Sequence, residues 1–575
     1  MSSIFGVIGD AKLNNIDQMQ NVLTHRGTKL KSKFKSDVAI LSVFSHEKHQ
    51  EPLSGVYESG ENFLAFSGSL FFAPEDVSNL KDLYDLILKN GIEYINQLSG
   101  SFILLFKTSQ KTIICRDPAG ESTIVYSTFS GQVAFASEAK AILSLPGFKR
   151  EIDRGSLTRY FAYSFLPGKA TMLKNIFELP AGVVLEIDSS GRTNLKKIST
   201  VDQIEEDVDM SLDESVSEFH QLFLKCIEDR YPSDSVGLFL SGGLDSTIVG
   251  AGLRELGHSF KSYSLYFGKK YNHELEFAKS AADLMNVENI PFSLEPKTFL
   301  PNLREAIWYL DDPIGDPITI PNYELSKFAS KEFNYIYNGE GGDPLFGGPK
   351  NIPMMLHHWY GYEREENFRE KKYLESYRRA YSEIESLINP DFLKDLDVEE
   401  ELEAPLRPYF SSSRPHKFLN KLMLINIRLK GAHLILPKIK RMQGANGILP
   451  LSPLFDSRLI EFSFRIPTSH KLQNGIEKLI LKEAYKGKIP EGIIQRPKSG
   501  MRVPVHYWFQ KELRRYAKSI FNKKDVENAG IFQYKRIKEL LSYDLESIQN
   551  RYGLKLWMLL TFEIWRKLNI EKESL

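Results

Sequence analysis

Val236-Gly237-Leu238-Phe239-Leu240 runs straight into Ser241-Gly242-Gly243-Leu244-Asp245-Ser246-Thr247, an apolar run meeting a glycine turn. The run reads as a buried strand, and Thr247–Leu256 reads as the helix that the turn opens. Two glycines let a backbone come close to an anion, and the helix start offers unpaired N–H groups. Ser241, Ser246 and Thr247 add hydroxyl donors, so the turn reads as a pyrophosphate cradle. Asp245 stands inside it, and a carboxylate beside polyphosphate needs a cation between them. It is therefore the first candidate magnesium ligand.

Downstream, Phe260–Phe267 reads as a strand, Leu275–Met285 as a helix and Tyr335–Tyr337 as a later strand. This alternation predicts an α/β fold with a doubly wound parallel sheet. The last of these strands leads into a second loop, Asn338-Gly339-Glu340-Gly341-Gly342-Asp343-Pro344-Leu345-Phe346-Gly347-Gly348, with two carboxylates among five glycines. Glycine loses more backbone entropy on folding than any other residue, so this density implies close approach to a ligand. Asp343 can complete the metal shell begun by Asp245, which leaves Glu340 for proton transfer or substrate orientation.

Upstream, Val216, Phe219, Phe223, Cys226 and Ile227 recur at helical spacing, with Cys226 as a core residue. The acidic stretch Val201–Glu214 reads as a solvated connection. Before it, short apolar runs such as Phe102–Phe106 and Thr112–Ile114 lie between Gly, Ser and Asn turns, the pattern of a packed α+β domain. From about Ile352 to Phe418 the chain is charged and helical in pattern, and Glu363-Arg-Glu-Glu366 through Lys372 reads as a solvated helix face. His357 and His358 point about 100° apart on a helix, which suits packing better than one metal ion.

Composition limits the choice of function. The 575 residues carry 74 basic and 74 acidic side chains, so the chain lacks the positive field on which nucleic-acid binding depends. With only two cysteines, Cys115 and Cys226, neither a disulfide framework nor a multi-Cys zinc site can be built. The opening Met1–Gly6 lacks the basic start and apolar run of a signal peptide, and no apolar stretch approaches a membrane span. A cytoplasmic protein with no nucleic-acid or membrane partner is expected.

The two loops, in their order, resemble those of the asparagine synthetase family. The resemblance continues through Asp312-Pro313 to Ile320-Pro321, Leu451–Asp456, Asn474-Gly-Ile-Glu-Lys478 and Gln495-Arg496-Pro497-Lys498. In the first half it covers Thr24-His25-Arg26-Gly27, Arg116-Asp117 and Phe135–Lys140. It implies an N-terminal Ntn-hydrolase-like αββα sandwich over residues 1–200 and an ATP-pyrophosphatase synthetase domain with helical additions over residues 211–575. ATP would lie on Ser241, Gly242, Gly243, Asp245 and Ser246, with Phe239, Asn338 and Gly339 near the nucleotide, and Asp245 and Asp343 would hold Mg²⁺. A carboxylic acid, aspartate or another, would become an acyl-adenylate for attack by ammonia or an amine. Lys498 would stabilise developing charge and Glu340 would help take the proton. The resemblance also allows a homodimer.

The first half departs from the family's pattern. Glutamine-using members begin Met-Cys, whereas this chain has Ser2, and a serine hydroxyl is a far weaker nucleophile than a thiol. Ser67-Gly68-Ser69 stands for the usual Asn-Gly-Glu, and the usual arginine is missing from Phe44–Leu53. Three parts altered together imply a retained fold without glutaminase activity, with His25 and Arg26 structural. In the second half, Lys438–Gly447 and Leu449-Pro450-Leu451 replace the family's usual residues, so the acceptor side is expected to differ. The expectation is an ATP-dependent, AMP-forming amide synthetase, either an ammonia-dependent asparagine maker or a ring-closing ligase like those that form β-lactam or lasso-peptide rings; a nucleotide-binding pseudoenzyme is the rival, against which Asp245, Glu340, Asp343 and Lys498 weigh.

Overall fold

The computed structural model describes residues 2–9, 16–129, 131–268, 271, 274–361, 367–377, 379–496, 500–543 and 551–575. In its first half, alternating apolar side chains build two antiparallel six-stranded sheets packed face to face. Ser2–Ile8 is central to the first sheet, between Ala39–Ser45 and Gln132–Ala136. The second is centred on Lys111–Arg116, Ser99–Lys107 and Asn62–Phe72. Ile4, Leu41 and Val43 meet Phe63, Ala65, Ile103 and Leu105 between them. On the outer face of the second sheet, helix Leu80–Asn90 buries Leu83, Tyr84 and Ile87, its start fixed by a reciprocal Asn79–Asp82 capping box. Short helices carrying Met19 and Ile142 cover the outer face of the first. The result is the αββα sandwich.

The second half is built on a five-stranded parallel sheet in the order Asn289–Ser293, Phe260–Tyr266, Val236–Phe239, Tyr335–Tyr337, Leu449–Leu451. Chain order reverses between Val236–Phe239 and Tyr335–Tyr337, so this is the doubly wound arrangement. Both glycine loops leave the carboxyl ends of that central pair, the crevice where ligands bind in such sheets.

The acidic connection is more ordered than its composition implies. Asp202 is buried and bonded by Lys197, and Asp213 and Glu214 form the first turn of helix Leu212–Glu228. Ser211 and Glu214 cap that helix reciprocally, so acidic residues serve the positive end of a helix dipole instead of a free linker. Phe219, Phe223, Cys226 and Ile227 are its buried stripe, and burial pushes the Cys226 thiol far above the range of a reactive cysteine.

One unbroken helical path, Phe418–Ile425, a π-helical Asn426–Ile435 and Leu436–Gly444, joins the two halves. Its Arg428 donates to the Pro118 carbonyl (2.7 Å), and Lys440 donates to Ser122 (2.7 Å) and Ser101. Arg116 answers from the first half, bonding the Ala432 carbonyl at 3.1 Å and Glu178 at 2.5 Å, with His433 3.1 Å from the same carboxylate. His358 stacks on Phe418 with ring centroids 4.1 Å apart, the packing role expected of that pair. Glu363–Glu366 lies outside the described residues. Among the described residues no helix is long and apolar enough to cross a membrane.

Candidate active site

Gly242 has φ of +74°, the left-handed turn that lets strand Val236–Phe239 swing into helix Leu244–Glu255. Ser241 Oγ accepts from Gly243 N (3.3 Å) and bonds Ser246 Oγ (3.0 Å), closing the loop on itself. Gly243 is the N-cap and no side chain caps this 12-residue helix, so its first N–H groups face the loop without a protein acceptor of that kind. Thr247 differs from expectation. Its hydroxyl donates to the Gly243 carbonyl at 2.8 Å and its side chain is fully buried, which removes it from the cradle.

The glycines of the second loop serve a purpose that their sequence does not show. A Cβ on Gly339 would stand 2.3 Å from Ser246 N, and one on Gly342 would stand 2.3 Å from Asp245 Oδ1. These glycines admit the first loop rather than a ligand, so the two loops form one backbone-to-backbone unit. Asn338 ties that unit to the third strand end. Its N–H donates to the Leu451 carbonyl (3.0 Å), and its Oδ1 accepts from Glu340 N and Ser452 Oγ, both at 3.1 Å. Asn338 Nδ2 is buried with no protein acceptor, a donor suited to a bound base or phosphate.

At the centre of the unit is Lys478, to which sequence reasoning assigns no role. Leu472–Gln473 and Ile476–Glu477 form a hairpin whose turn is Asn474-Gly475, with φ of +51° and +78°. An Asn-Gly pair is the preferred composition for such a turn. Lys478 leaves the hairpin at φ +54°, a left-handed conformation that costs a non-glycine residue free energy and marks positions held for a purpose. Its side chain is buried, and Nζ lies 2.8 and 2.7 Å from the two Asp245 carboxylate oxygens and 2.5 Å from Asp343 Oδ1. The two expected metal ligands therefore converge on one cationic point. An Asn-Gly hairpin followed directly by Lys is the signal the sequence offers.

Glu340 is half-buried on the second loop, three residues before Asp343. Lys438, close enough to feel the Glu340 charge, donates to Asp316 at 3.0 Å. Although burial works against it, Asp316 and then Glu340 raise the Lys438 pKa, and the pair stays charged. Phe239 sits half-buried at the strand end beneath the cradle. Lys498 lies outside the described residues. Phe239, Ser241, Gly242, Gly243, Asp245, Ser246, Asn338, Gly339, Glu340 and Asp343 thus lie on or beside one pair of loops. Asp245 and Asp343, both on the loops that would carry the polyphosphate, are oxygen donors of the type Mg²⁺ takes, although their nearest common partner is the Lys478 ammonium.

In the first half, Ser2 is buried at the start of its strand, opposite Ser45, and its carbonyl accepts from Arg26 Nε at 3.1 Å. His25 and Arg26 each bind Glu138 at 3.0 Å, and Lys140 binds it at 2.5 Å. Despite burial, His25, Lys140 and Arg26 hold Glu138 well below the usual carboxylate range. Gly68 and Ser69, from the altered Asn-Gly-Glu position, line a cleft of about 270 Å³ together with Tyr335, Leu449 and Leu451. The altered parts of the two halves face the same space.

Residues 218–567 match the asparagine synthase family model, and residues 1–198 match that of a glutamine amidotransferase domain. The chain belongs to the asparagine synthase family. This makes it an ATP-dependent carbon–nitrogen ligase by class. It is 26% identical to asparagine synthetase [glutamine-hydrolyzing] 1 of Bacillus subtilis, over 97% of this chain and 94% of that one. A putative asparagine synthetase [glutamine-hydrolyzing] of Mycobacterium bovis is 25% identical over 84% of this chain and 78% of its own length. Amidase chry2 of Gibberella zeae is 20% identical over 93% and 92%.

Proposed function

We propose that this family member activates a substrate carboxylate with ATP and couples it to ammonia or an amine without hydrolysing glutamine in its own first domain. The observation that carries this reading is Lys478, with its ammonium between Asp245 and Asp343 at the reversal of strand order. In the first step a carboxylate oxygen bonds to the α-phosphorus, the bond to the β-phosphate bridging oxygen breaks, and pyrophosphate leaves with the electron pair. The loop N–H groups and Asn338 would orient the nucleotide. Lys478 supplies a fixed positive charge where the pentavalent phosphorus and the leaving group gather negative charge. Mg²⁺, held by Asp245 and Asp343, would neutralise polyphosphate oxygens.

In the second step an amine nitrogen attacks the acyl carbonyl, AMP departs, and the nitrogen loses a proton. Glu340 is the carboxylate beside the site suited to accept it, on a backbone whose N–H donates to Asn338 and within the field of Lys438. Lys498 keeps its proposed part as a second cation toward the adenylate.

Ser2, the Ser67-Gly68-Ser69 segment and the arginine-free Phe44–Leu53 support loss of glutaminase chemistry. A second reading, ring closure by an amine on the same substrate, draws support from Leu449 and Leu451 facing the interdomain cleft. The test is product formation with MgATP and a panel of acids, aspartate included, supplied with ammonium, glutamine or no added nitrogen. The proposal expects ammonium or a substrate amine to support turnover and glutamine to give no more than contaminating ammonia does. Equal turnover with glutamine would overturn the inactive-glutaminase part. Nucleotide binding with no pyrophosphate release from any acid would favour a pseudoenzyme.

A further inference from the structure

The acidic connection between the halves is fastened to the synthetase half at two points. Asn420 Nδ2 donates to Glu206 Oε1 at 2.9 Å, and the Asp207 N–H donates to the Arg465 carbonyl at 2.7 Å, which ties the connection to helix Phe418–Ile425 and to the end of helix Ser457–Arg465. Lys471 draws on the same two helices. Its side chain is fully buried, and Nζ donates to Asn420 Oδ1 at 2.8 Å and to the Ser463 carbonyl at 2.5 Å. The Asn420 amide thus serves carboxylate and amine at once, nitrogen to one and oxygen to the other. Both acceptors of Lys471 are uncharged, so burying this amine costs free energy that an apolar side chain would not, and stability is not what it supplies.

What Lys471 holds is the root of the hairpin that carries Lys478. Its carbonyl accepts from Leu479 N at 3.2 Å, which closes the hairpin one residue beyond Lys478, and inside that closure Leu472 pairs with Glu477. The neighbouring His470 adds a second tie, its Nδ1 lying 2.9 Å from Ser215 Oγ on helix Leu212–Glu228. From the other side, a Cβ on Gly347 would stand 3.4 Å from Lys471 Cβ, so the far end of the loop that carries Asp343 rests on the same residue. Both members of the Lys478–Asp343 contact are therefore referred to one buried side chain.

We infer that Glu206, Asn420 and Lys471 form a positioning chain through which the connection between the halves fixes the Lys478 ammonium against Asp245 and Asp343. The three residues act on the reaction only through Lys478, and Lys471 is the link on which the others converge. The effect on turnover rests on the ATP-activation reading above, whereas the effect on the placement of Lys478 does not.

The test takes two readouts on the full chain. The first is acetylation of the folded protein by acetic anhydride, mapped by peptide mass spectrometry, for wild type, Lys471→Met and Glu206→Ala. Lys478 is buried and is expected to react about tenfold faster in Lys471→Met, the worth of the hydrogen bonds removed, and by a smaller factor in Glu206→Ala, while the buried Lys140 of the first half stays protected in all three. The second is ATP–pyrophosphate exchange. Lys471→Met is expected to lower its kcat about tenfold with the KM for ATP unchanged, and to cost nothing further when combined with Lys478→Met, because nothing is then left to position. Glu206 is half-buried, so its variant keeps the test valid if Lys471→Met does not fold. Equal acetylation of Lys478 in wild type and variants, or a Lys471→Met loss that adds in full to that of Lys478→Met, would overturn the positioning chain alone. Exchange from no acid in the wild type, with Lys478 uncovered by Lys471→Met, would overturn the ATP-activation reading and still support the chain.

Discussion

Lys478 has no role that stability alone would require. A buried ammonium costs free energy unless paired, and here its partners are two carboxylates from separate loops. Lys478→Met keeps the side-chain volume and removes the charge. It should lower acid-dependent pyrophosphate exchange by about 10²–10³-fold, the loss typical of one fixed electrostatic contact. Asp245→Asn and Asp343→Asn should raise the Mg²⁺ concentration needed for half-maximal exchange. In the first half, Ser2→Cys alone should not produce glutamine hydrolysis, as followed by glutamate release, because the substrate-gripping positions around Ser67 and Phe44 are altered too.

A pH prediction belongs to Lys471, which is buried and donates to Asn420 Oδ1 at 2.8 Å and the Ser463 carbonyl at 2.5 Å. Burial pulls its pKa down to about 7. An unfolded lysine titrates near ~10.4, so between these values the unfolded chain holds a proton that the folded chain has released. This residue's contribution to stability should therefore rise with pH across that window and be smallest below about 7. Comparing melting temperatures of wild type and Lys471→Met from pH 7 to 9 checks it, since the difference should change with pH in that direction.

The Asn474-Gly475 hairpin and the paired glycine loops position groups they do not themselves supply. Gly475 has open space where a Cβ would stand but φ of +78°, so Gly475→Val is strained by its backbone and not by packing. It should cost about 1–2 kcal/mol and reduce exchange far more than its melting temperature suggests, because Lys478 follows directly. Gly342→Ala would drive a methyl group into Asp245 and should abolish exchange while leaving the first half folded, read by retained far-UV circular dichroism. Much at this scale is legible in sequence. Strand Tyr335–Tyr337 and the buried stripe from Phe219 to Ile227 follow from apolar spacing, which the fold must satisfy. The acidic connection misleads because Glu214 looks the same in a linker as in a capping box, and only the helix behind it decides. Lys478 is illegible for a different reason. Its partners, Asp245 and Asp343, lie far earlier in the chain, Asp245 by 233 residues, and single-chain spacing carries no information on such contacts.

Across the whole molecule, the two halves meet through buried charge and not through a detachable surface. Arg116, Glu178 and His433 form one buried group, and Arg230 reaches both Glu121 (3.3 Å) of the first half and Asp456 of the second. Glu178→Gln leaves Arg116 without its carboxylate and should destabilise the chain by about 3–5 kcal/mol, measurable by urea unfolding. Under the proposed function, this packing gives the first domain a reason to be retained without glutaminase chemistry: it supplies partners to the synthetase half. The αββα sandwich and the doubly wound sheet are foreseeable from sequence, whereas the interdomain cleft bounded by Ser69, Leu449 and Leu451 is not, since it depends on how the halves dock.

The central claim is that the lysine-bridged loops activate a carboxylate. Its most direct test is ATP–pyrophosphate exchange with MgATP, acid by acid, for wild type beside Lys478→Met. The account predicts exchange that depends on a particular carboxylic acid in the wild type and is lost in a folded Lys478→Met. Exchange of equal rate in both proteins, or none from any acid in a wild type that binds ATP, would contradict it.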